Sequence, residues 1–342
     1  MKLMCIFKIY AKNARTERAR RKNLANYFHA PVNIIVVKIC PAISKESSAE
    51  GKEKMKEYVI FTDSACDIKP ETLREWGVGY DELTFRFDGE DKSYLNFEMS
   101  TQEFYGKMKG GAVAKTAAVN PDTFAESFEK ILSEGKDVLC LGFSSGLSTT
   151  YNSARIAAEG LKEKYPEQKI IVIDTLAASA GEGLLVYLAV KKKGEGASIE
   201  ENAEYVKSLI PKLCHWFTVD DLVYLKRGGR INALSYFVGT AVGIKPVLHV
   251  DNEGHLVSVQ KVRGRRTAID TIVKKYEELA DDKEGATLFI SHADCERDVK
   301  IFADSIKSKF GNDVDLITDV GPVIGAHAGP GTLAVFFIGK ER

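Results

Sequence analysis

The sequence lacks the motifs by which many enzymes are recognised. It has no G-x-x-x-x-G-K-[ST] loop and no protein-kinase signature set, so it predicts no binding site for ATP. The adjacent acids Asp220 and Asp221 have no complementary ligands at a spacing typical of a metal site. The sequence therefore predicts no cofactor and no bound metal.

Cysteine pairs and long apolar runs are also missing. The six cysteines are scattered without a C-x-x-C pair, which argues against a disulfide framework or a zinc site and fits a reducing cytoplasm. The apolar run Leu3–Phe7 is too short for a secretory signal, and Ile34–Val37 comes late and is followed by Lys38. Neither approaches the roughly 20 apolar residues of a membrane span. We expect a cytoplasmic protein without stable membrane insertion.

Net charge is absent as well, because 48 Lys and Arg balance 48 Asp and Glu. Residues 1–54 hold twelve basic and four acidic residues, which leaves thirty-six and forty-four for the rest. The body is mildly acidic, which argues against nucleic acid as a partner. Residues 1–56 are predicted to be a basic and polar extension, disordered or an upstream artefact before a natural start at Met55. A basic arm that binds anionic lipid or nucleic acid is the alternative.

From Lys56 onward, short apolar strands alternate with helices of amphipathic spacing. This succession predicts an α/β protein with a parallel sheet in an amino-terminal domain at residues 57–217. Two strands around the turn Asp251–Gly254 indicate a hairpin, so residues 218–342 are predicted to form a second α/β domain with a mixed sheet. Ser208–Phe217 is the predicted connection between the two domains.

A cluster of hydroxyl residues follows the predicted strand Val138–Phe143 and precedes a predicted helix. A strand that runs into a Ser/Gly loop and then a helix directs backbone N–H groups and hydroxyls at one point, which suits a phosphate or carboxylate. A serine-rich helix cap is the simpler interpretation. Five hydroxyls exceed what one cap needs, so we favour an anion site formed by Ser144, Ser145, Ser148, Thr149 and Thr150.

The same stretch contains a G-x-S-x-G pattern, Gly142–Gly146, between a strand and a helix. A serine hydrolase with Ser144 as nucleophile and His327 as base is therefore an alternative. The missing H-G-G-G segment argues against it, and we favour serines that bind over a serine that attacks.

Two further segments have unusual compositions. Lys226–Arg230 places three cations around two glycines, which suits either close approach to an anionic ligand or a solvated basic turn. Gly321–Thr332 holds His327 among four glycines and two prolines just before an apolar strand. We predict a fixed loop that presents His327 to a pocket, although a lone histidine is often structural.

Seven motifs in order together resemble the DegV family of bacterial fatty-acid-binding proteins, from about Tyr58 to Ile338. Any one would be weak, whereas the ordered set is specific. They are FTDSACDI (61–68), KT-x-x-x-NP (115–121), SSGLSTTYNSA (144–154), IDTLAASAGEGLLV (173–186), VDDLVYLKRGGRI (219–231), KVRG (261–264) and GAHAGPGTLAVFF (325–337).

The resemblance implies a two-domain fold that holds one long-chain fatty acid, such as palmitate or oleate, in a tunnel between the domains. It implies that the carboxylate is bound near Thr116 and the serine loop. In this sequence the carboxylate-binding residues are then Thr116, Ser144, Ser145 and Ser148, with Ser148 the foremost serine. The residues at the head-group opening, facing a partner, are then His327, Arg230, Arg227 and Ser64.

The resemblance also implies a role as the lipid-carrying subunit of a bacterial fatty-acid kinase. The chain is then no enzyme by itself: an ATP-binding subunit phosphorylates the bound carboxylate for phospholipid synthesis, and the carrier is a monomer or weak dimer. Two departures bear on this expectation. Ala117 and Ala118 stand where the family often has Ser-Gln, and Thr149 stands where it often has Gly, which affects head-group hydrogen bonds or chain selectivity.

Overall fold

The computed structural model describes residues 56–231 and 243–342. The predicted extension at residues 1–56 lies outside these residues except for Lys56. The described chain forms a four-stranded parallel sheet, a three-stranded antiparallel sheet and a six-stranded mixed sheet. The predicted α/β class, with one parallel and one mixed sheet, is confirmed. No helix in the described ranges is long and apolar enough to cross a membrane.

The parallel sheet is built from apolar strands that are covered by helices on both faces. Alternate residues of its central strand face different cores: Leu139 and Leu141 pack on one side, Val138 and Cys140 on the other. Such burial on both faces explains the continuous apolar runs in the sequence. In spatial order the strands are β2 (Val78–Asp81), β1 (Tyr58–Asp63), β6 (Asp137–Gly142) and β7 (Ile170–Asp174).

Three helices of this half begin at a residue whose side chain caps them, Ser100, Asn120 and Ser198. Asn120 accepts a hydrogen bond from the amide of Thr123 at 2.9 Å, and Pro121 takes the first helical position. Ser198 and Glu201 form a capping box. The helices are α1 (Pro70–Glu75), α2 (Thr101–Lys109), α3 (Pro121–Ser133), α4 (Thr150–Leu161), α5 (Ala180–Gly194) and α6 (Ile199–Leu209).

The residues Tyr80–Phe87 have the composition of a single strand, but the chain changes sheet there. Val78–Asp81 pairs with β1, and the backbone then leaves that sheet at Leu83. The next residues enter the antiparallel sheet, in which β3 lies between β4 and β5 and Thr116 stands opposite Phe85. Its strands are β3 (Thr84–Phe87), β4 (Tyr94–Leu95) and β5 (Ala114–Ala117).

The six-stranded sheet contains the predicted hairpin. Val250 pairs with Leu256 across the Asp251–Gly254 turn, and β11 with β12 is the parallel pair of this mixed sheet. In spatial order the strands are β10 (Leu256–Arg263), β9 (Ile244–Val250), β8 (Leu213–Thr218), β13 (Leu333–Ile338), β11 (Phe289–His292) and β12 (Leu316–Asp319). The helices of this half are α7 (Val223–Arg227), α8 (Arg265–Leu279), α9 (Glu296–Phe310) and α10 (Pro322–Ala328).

Regular structure fills most of the predicted connection Ser208–Phe217. Helix α6 runs to Leu209, a single 3₁₀ turn covers Ile210–Lys212, and every residue of β8 is then buried inside the six-stranded sheet. The run LCHWFT is a strand because its neighbours on both sides and its cores on both faces exclude water. The division at residues 217 and 218 stays a prediction.

Helix α5 lies between the parallel and the mixed sheets. It contacts β1 and β6 of the first and β8, β11 and β13 of the second. Its residues from Ala180 to Val186 are all buried, which fits a helix covered on every side. Leu139, Leu184 and Phe336 consequently belong to one hydrophobic core, and the two sheets hold a fixed relation around the cavity described next.

Candidate ligand-binding site

A cavity of about 540 Å³ lies where the loops after the parallel strands meet the mixed sheet and α10. This volume is within the range of small-molecule sites, roughly 300–1,000 Å³. We call the loop at residues 143–149, between β6 and α4, the serine loop. Most of the cavity wall is apolar, with Phe143 and Leu147 from the serine loop, Phe217 and Phe336 from the mixed sheet, and Val323 from α10. Such a wall fits a ligand with a long apolar part.

The serine loop contributes Ser145 and Ser148 to the wall, as predicted. Ser148 is half-buried, its hydroxyl lies 2.8 Å from that of Thr150, and it accepts the amide N–H of Thr150 at 3.2 Å. Ser145 is exposed, and its backbone N–H donates to Asp174 at 3.1 Å. Both side chains can contact a ligand, and the exposure of Ser145 indicates that the cavity opens to solvent here.

Ser144 does not line the cavity, in contrast to its neighbours. It is fully buried, its hydroxyl donates to the carbonyl of Gly254 at 2.9 Å, and it accepts the amide of Gly146 at 3.2 Å. The hydroxyl therefore joins the serine loop to the hairpin turn. Because its proton is donated to a carbonyl, the geometry does not support carboxylate binding by Ser144. His327 is hydrogen-bonded to Thr116, so the geometry does not support a Ser144–His327 hydrolase pair either.

Thr116 and His327 form a hydrogen-bonded pair on the cavity wall. Thr116 Oγ1 lies 2.8 Å from His327 Nε2, which joins β5 to the last turn of α10. Burial, followed by the nearby Arg230 cation, lowers the pKa of His327 to about 4. The imidazole is therefore neutral at pH 7, and its tautomer decides which partner donates. When Nε2 donates, the hydroxyl proton of Thr116 can go to a ligand oxygen.

The segment around His327 was predicted to be a loop, and this was wrong. Pro322–Ala328 is a short α-helix, which begins because Pro322 has the fixed φ of a first helical position. Gly325 is needed on its buried face, since a Cβ there would lie 2.3 Å from the hydroxyl of Tyr105. Glycine thus serves close packing here, and the helix still directs His327 to the cavity as expected.

Arg230 lines the cavity, whereas Arg227 does not. Arg230 is half-buried and donates to the carbonyls of Leu147 and Gly228 at 3.1 and 2.6 Å. A guanidinium has five N–H donors, so such a group can hold the wall and bind an anionic oxygen at the same time. The exposed guanidinium of Arg227 lies 5.8 Å from the ring centroid of Tyr224, outside the cavity wall.

Gly228 allows the Lys226–Arg230 segment to pack directly against His327. A Cβ on Gly228 would lie 2.1 Å from Nδ1 of His327, so only glycine permits the backbone to touch the imidazole ring. The sequence indicated a close approach of this backbone to a ligand or partner. The structure shows that the group approached is His327.

Ser64 was predicted at the head-group opening, but it is fully buried and not part of the cavity wall. Its hydroxyl accepts the amide of Leu83 at 3.0 Å, and its carbonyl accepts from Asn96 at 3.2 Å. A small side chain with a hydroxyl is required at Ser64 because the backbone N–H of Leu83 donates to it. Leu83 itself lines the cavity, so Ser64 contacts a wall residue without being part of the wall.

The sequence interpretation missed a second polar group on the wall. Ser179, Ser291 and His215 all line the cavity. The hydroxyl of Ser179 donates to Asp67 at 2.5 Å and lies 2.8 Å from that of Ser291. Burial is the main cause that raises the pKa of Asp67 to about 7. The small-residue loop after β7 was the available signal, since ligands collect at the carboxyl ends of parallel strands.

Neither polar group resembles a metal centre. Among the residues that the structure describes, no cluster of three or more His, Cys, Asp or Glu is placed to hold a metal ion. The chemistry that the wall offers is hydrogen bonding from hydroxyls, a neutral imidazole and a guanidinium, which suits one carboxylate or phosphate group.

The chain is similar to proteins of one family over nearly all its described length. The family model described as "Uncharacterised protein, DegV family" matches residues 57–340. A DegV domain-containing protein of Clostridium perfringens is 41% identical over 289 residues, which cover 84% of this chain and 99% of that protein. A DegV domain-containing protein of Streptococcus pyogenes is 36% identical over 285 residues, with 83% and 99% covered.

Solved structures of similar proteins have the same fold. One, described as showing fatty acid binding of a DegV family protein from Thermus thermophilus, has a TM-score of 0.76 at 29% identity and covers 83% of this chain and 99% of its own. A stearic acid-binding protein from Eubacterium ventriosum has a TM-score of 0.75 at 27% identity, with 83% and 98% covered. A fatty acid binding DegV protein from Bacillus subtilis has 0.73 at 25%, with 84% and 100% covered.

Proposed function

The chain belongs to the DegV family, and on this basis we propose that its cavity holds one long-chain fatty acid and presents the carboxylate to a separate kinase subunit. The observation that carries the proposal is the composition of the cavity wall. Thr116, His327 and Arg230 stand together with Ser148 on a wall that is otherwise largely apolar. Three relatives with the same fold are described as binding fatty acids.

The carboxylate binds at Thr116, Ser148, Ser145 and Arg230. Thr116 donates its hydroxyl proton while the neutral imidazole of His327 donates to Thr116 from Nε2. Arg230 supplies positive charge beside the same point, and its contacts with Leu147 and Gly228 keep the guanidinium in place. Charge-assisted hydrogen bonds of this kind are stronger than neutral ones, so an ionised carboxylate is preferred to an alcohol.

The acyl chain occupies the apolar remainder of the cavity. Each methylene group removed from water contributes about 0.8 kcal/mol, so a chain of about sixteen carbons is retained mainly by its tail. The division of labour is therefore clear: the tail supplies affinity, and the polar wall determines where the carboxylate stands. A palmitate or oleate fits this description.

The exposure of the polar end supports the proposed presentation to a kinase. Ser145 is exposed and Arg230 is half-exposed, so the carboxylate lies near the surface while the tail is buried. The cation Arg227 stands outside on the adjoining helix and faces the partner. The chain itself then performs no phosphoryl transfer and works in the cytoplasm as a monomer or weak dimer, with residues 57–217 and 218–342 as its two domains.

The first test is native mass spectrometry of the purified protein, followed by lipid extraction. We expect one non-covalent fatty acid per chain, and oleate or palmitate should bind again after lipid removal. A homogeneous lipid-free protein that also rejects added palmitate and oleate would contradict the binding part of the proposal.

The second test adds ATP, Mg²⁺ and oleate, with and without a fatty-acid kinase subunit. We expect acyl phosphate only when both proteins are present, because phosphoryl transfer needs a nucleotide and a metal site. Acyl phosphate from the chain alone would show that it is an enzyme. Hydrolysis of an ester that disappears in Ser144→Ala would instead support the hydrolase alternative.

A further inference from the structure

The turn Asp63–Asp67 lies behind the cavity, and its polar atoms contact the segments that line it. The turn begins at the end of β1 and forms a single 3₁₀ turn with both aspartates and Ser64 buried. None of these five residues is itself part of the cavity wall. The proposed function gives them no role.

The first carboxylate of this turn holds the serine loop. Asp63 accepts the amide of Phe143 at 2.9 Å with one oxygen and the amide of Ala65 at 3.0 Å with the other. Phe143 is the first residue of the serine loop and lines the cavity. Both oxygens are therefore used as acceptors of backbone N–H groups, which only a carboxylate can provide on both sides.

The second carboxylate holds the helix that carries His327. One oxygen of Asp67 accepts the amide of Gly321 at 2.9 Å, directly before α10, and the other accepts the hydroxyl of Ser179 at 2.5 Å. The backbone carbonyl of Asp67 also accepts the hydroxyl of Thr318 at 2.7 Å. One residue of the parallel-sheet half thus fixes the start of α10 in the other half.

The residues between the two aspartates contact further parts of the wall. Ser64 accepts the amide of Leu83, and the carbonyl of Ala65 accepts the amide of Ser179 at 2.8 Å. Ser179 has φ 55° and ψ −149°, a conformation that non-glycine residues seldom adopt and that its surroundings must impose. Leu83 and Ser179 both line the cavity.

We infer that the Asp63–Asp67 turn is the positioning element of the head-group site, with Asp63 setting the serine loop and Asp67 setting the helix of His327. The inference rests on the proposed function for the nature of the ligand. Asp63 and Asp67 are positioning residues, since they act through Phe143 and Gly321 and do not touch the ligand themselves.

The two aspartates differ in what they can be replaced by, and this makes the inference testable. Asp63→Asn places an N–H₂ group opposite an amide N–H and must lose one of its two bonds. Asp67→Asn keeps both, because its oxygen accepts from Gly321 while its N–H₂ donates to Ser179, whose own proton turns to Ser291. Asp67→Ala loses both bonds. Asp137→Asn is the matched control, a buried aspartate that accepts a backbone amide at the opposite end of β6.

The first measurement is hydrogen exchange of single backbone amides by NMR, which needs no ligand. We expect Asp63→Ala, which removes both acceptor oxygens, to accelerate exchange at Phe143 and not at Gly321, and Asp67→Ala to do the reverse. Asp67→Asn and Asp137→Asn should change neither amide. Equal acceleration at both amides, or none at either, would overturn the inference.

The second measurement compares the affinities for oleate and for oleyl alcohol, which share a tail and differ in the head group. Asp63→Ala should lower the affinity for oleate about tenfold and leave that for oleyl alcohol nearly unchanged, as the loss of charge-assisted bonds predicts. A merely structural role would lower both in proportion and would contradict the inference. A parent protein that binds neither lipid would contradict the proposed function, and the exchange rates would still decide the role of the turn.

Discussion

Two polar groups line the same cavity, and they differ in how far the protein satisfies their hydrogen bonds. At the Thr116–His327 group, hydroxyl and guanidinium donors are half-exposed and stand beside an opening. At the Asp67–Ser179–Ser291 group, the side chains are buried and bonded to one another. Buried networks that are satisfied internally rigidify a structure, whereas partly exposed donors are available to a ligand. The first group is therefore the one available to a ligand, whereas the second is bonded within the protein.

The two groups also respond to pH in opposite ways. Burial lowers the pKa of His327 to about 4 and raises the pKa of Asp67 to about 7, because it disfavours the charged form of each. Both groups are thus kept neutral over part of the working range, the histidine above pH 4 and the aspartate below pH 7.

The largest effect is expected from Gly228→Ala at the first group. A Cβ there would lie 2.1 Å from the imidazole of His327, so the ring must leave Thr116 or the backbone must move. We expect the affinity for oleate to fall by at least about tenfold, the loss of one or more charge-assisted bonds. Isothermal titration calorimetry measures this change.

Gly194→Ala is the control for that substitution. Gly194 lies in the last turn of α5 and a Cβ there would meet nothing within 4 Å. The affinity of the Gly194→Ala variant for oleate should equal that of the parent. An unchanged affinity in Gly228→Ala as well would mean that the position of His327 is unimportant for binding.

A smaller loss is expected from Thr116→Val, which keeps the shape of the side chain and removes the hydroxyl. One hydrogen bond contributes about 0.5–1.5 kcal/mol, so the affinity for oleate should fall about two- to twelvefold. The loss of affinity for oleate in Ser148→Ala should be in the same range or smaller, since part of the hydrogen bonding of Ser148 is used by Thr150. Thr84→Val on the neighbouring strand is the control and should bind as the parent does. If both site variants retain full affinity, the carboxylate lies elsewhere.

The sequence predicted the first group far better than the second. Thr116, Ser148, Arg230 and His327 came from ordered motifs, and all four line one cavity although they are far apart in the chain. Ser144 and Ser64 were assigned with them because motif letters do not say which hydroxyl points outward. Their hydroxyls are used by Gly254 and Leu83, contacts that depend on tertiary structure.

The fold was predictable where the pattern of local hydrophobicity decides it. The alternation of strands and helices in the parallel-sheet half followed from the sequence, because its strands are apolar runs buried on both faces. The exceptions share one cause: tertiary packing overrode local composition. The four glycines of Gly321–Thr332 suggested a loop, yet Gly325 lies in a helix and accommodates Tyr105. The change of sheet at Leu83 depends on Ser64, nineteen residues away in sequence.

A change in the pH dependence of stability is expected from Asp67→Asn. The folded-state pKa of Asp67, about 7, exceeds its ordinary value of 3.8, and burial and the nearby acids Asp319 and Asp63 raise it. The folded protein therefore holds this proton more tightly than the unfolded chain, and the resulting stability is lost as pH rises from about 4 through 7. Asp67→Asn should flatten this decline, so its advantage in Tm over the parent should be larger at pH 8 than at pH 5.

His327→Gln is the reference for that experiment and should act with the opposite sign. Since the folded-state pKa of His327 lies below its ordinary value of 6.5, its contribution to stability is lost as pH falls through the range between 6.5 and about 4. The charged group nearest to His327 is Arg230, and its positive charge lowers the pKa of His327 as burial does. Thermal unfolding from pH 4 to 8 would contradict the comparison if both variants changed the pH dependence of Tm with the same sign.

The smallest effect on lipid binding is expected from Arg227→Ala. Its guanidinium is exposed and stacked near Tyr224, outside the cavity wall, whereas Arg230 three residues later lines the cavity. Arg227→Ala should therefore leave the affinity for oleate within about twofold of the parent, as exposed charges contribute little. Arg230→Ala should lower it several-fold, because a half-buried cation beside the carboxylate is lost.

The pair separates lipid binding from partner recognition. If Arg227 faces the kinase subunit, Arg227→Ala should lower the rate of acyl-phosphate formation at low kinase concentration, and excess kinase should restore it. Arg230→Ala should stay impaired at any kinase concentration, since its carboxylate is less well held. Loss of oleate affinity in Arg227→Ala would place the carboxylate outside the cavity wall described here, whereas full kinase activity in that variant would leave Arg227 as an ordinary surface cation.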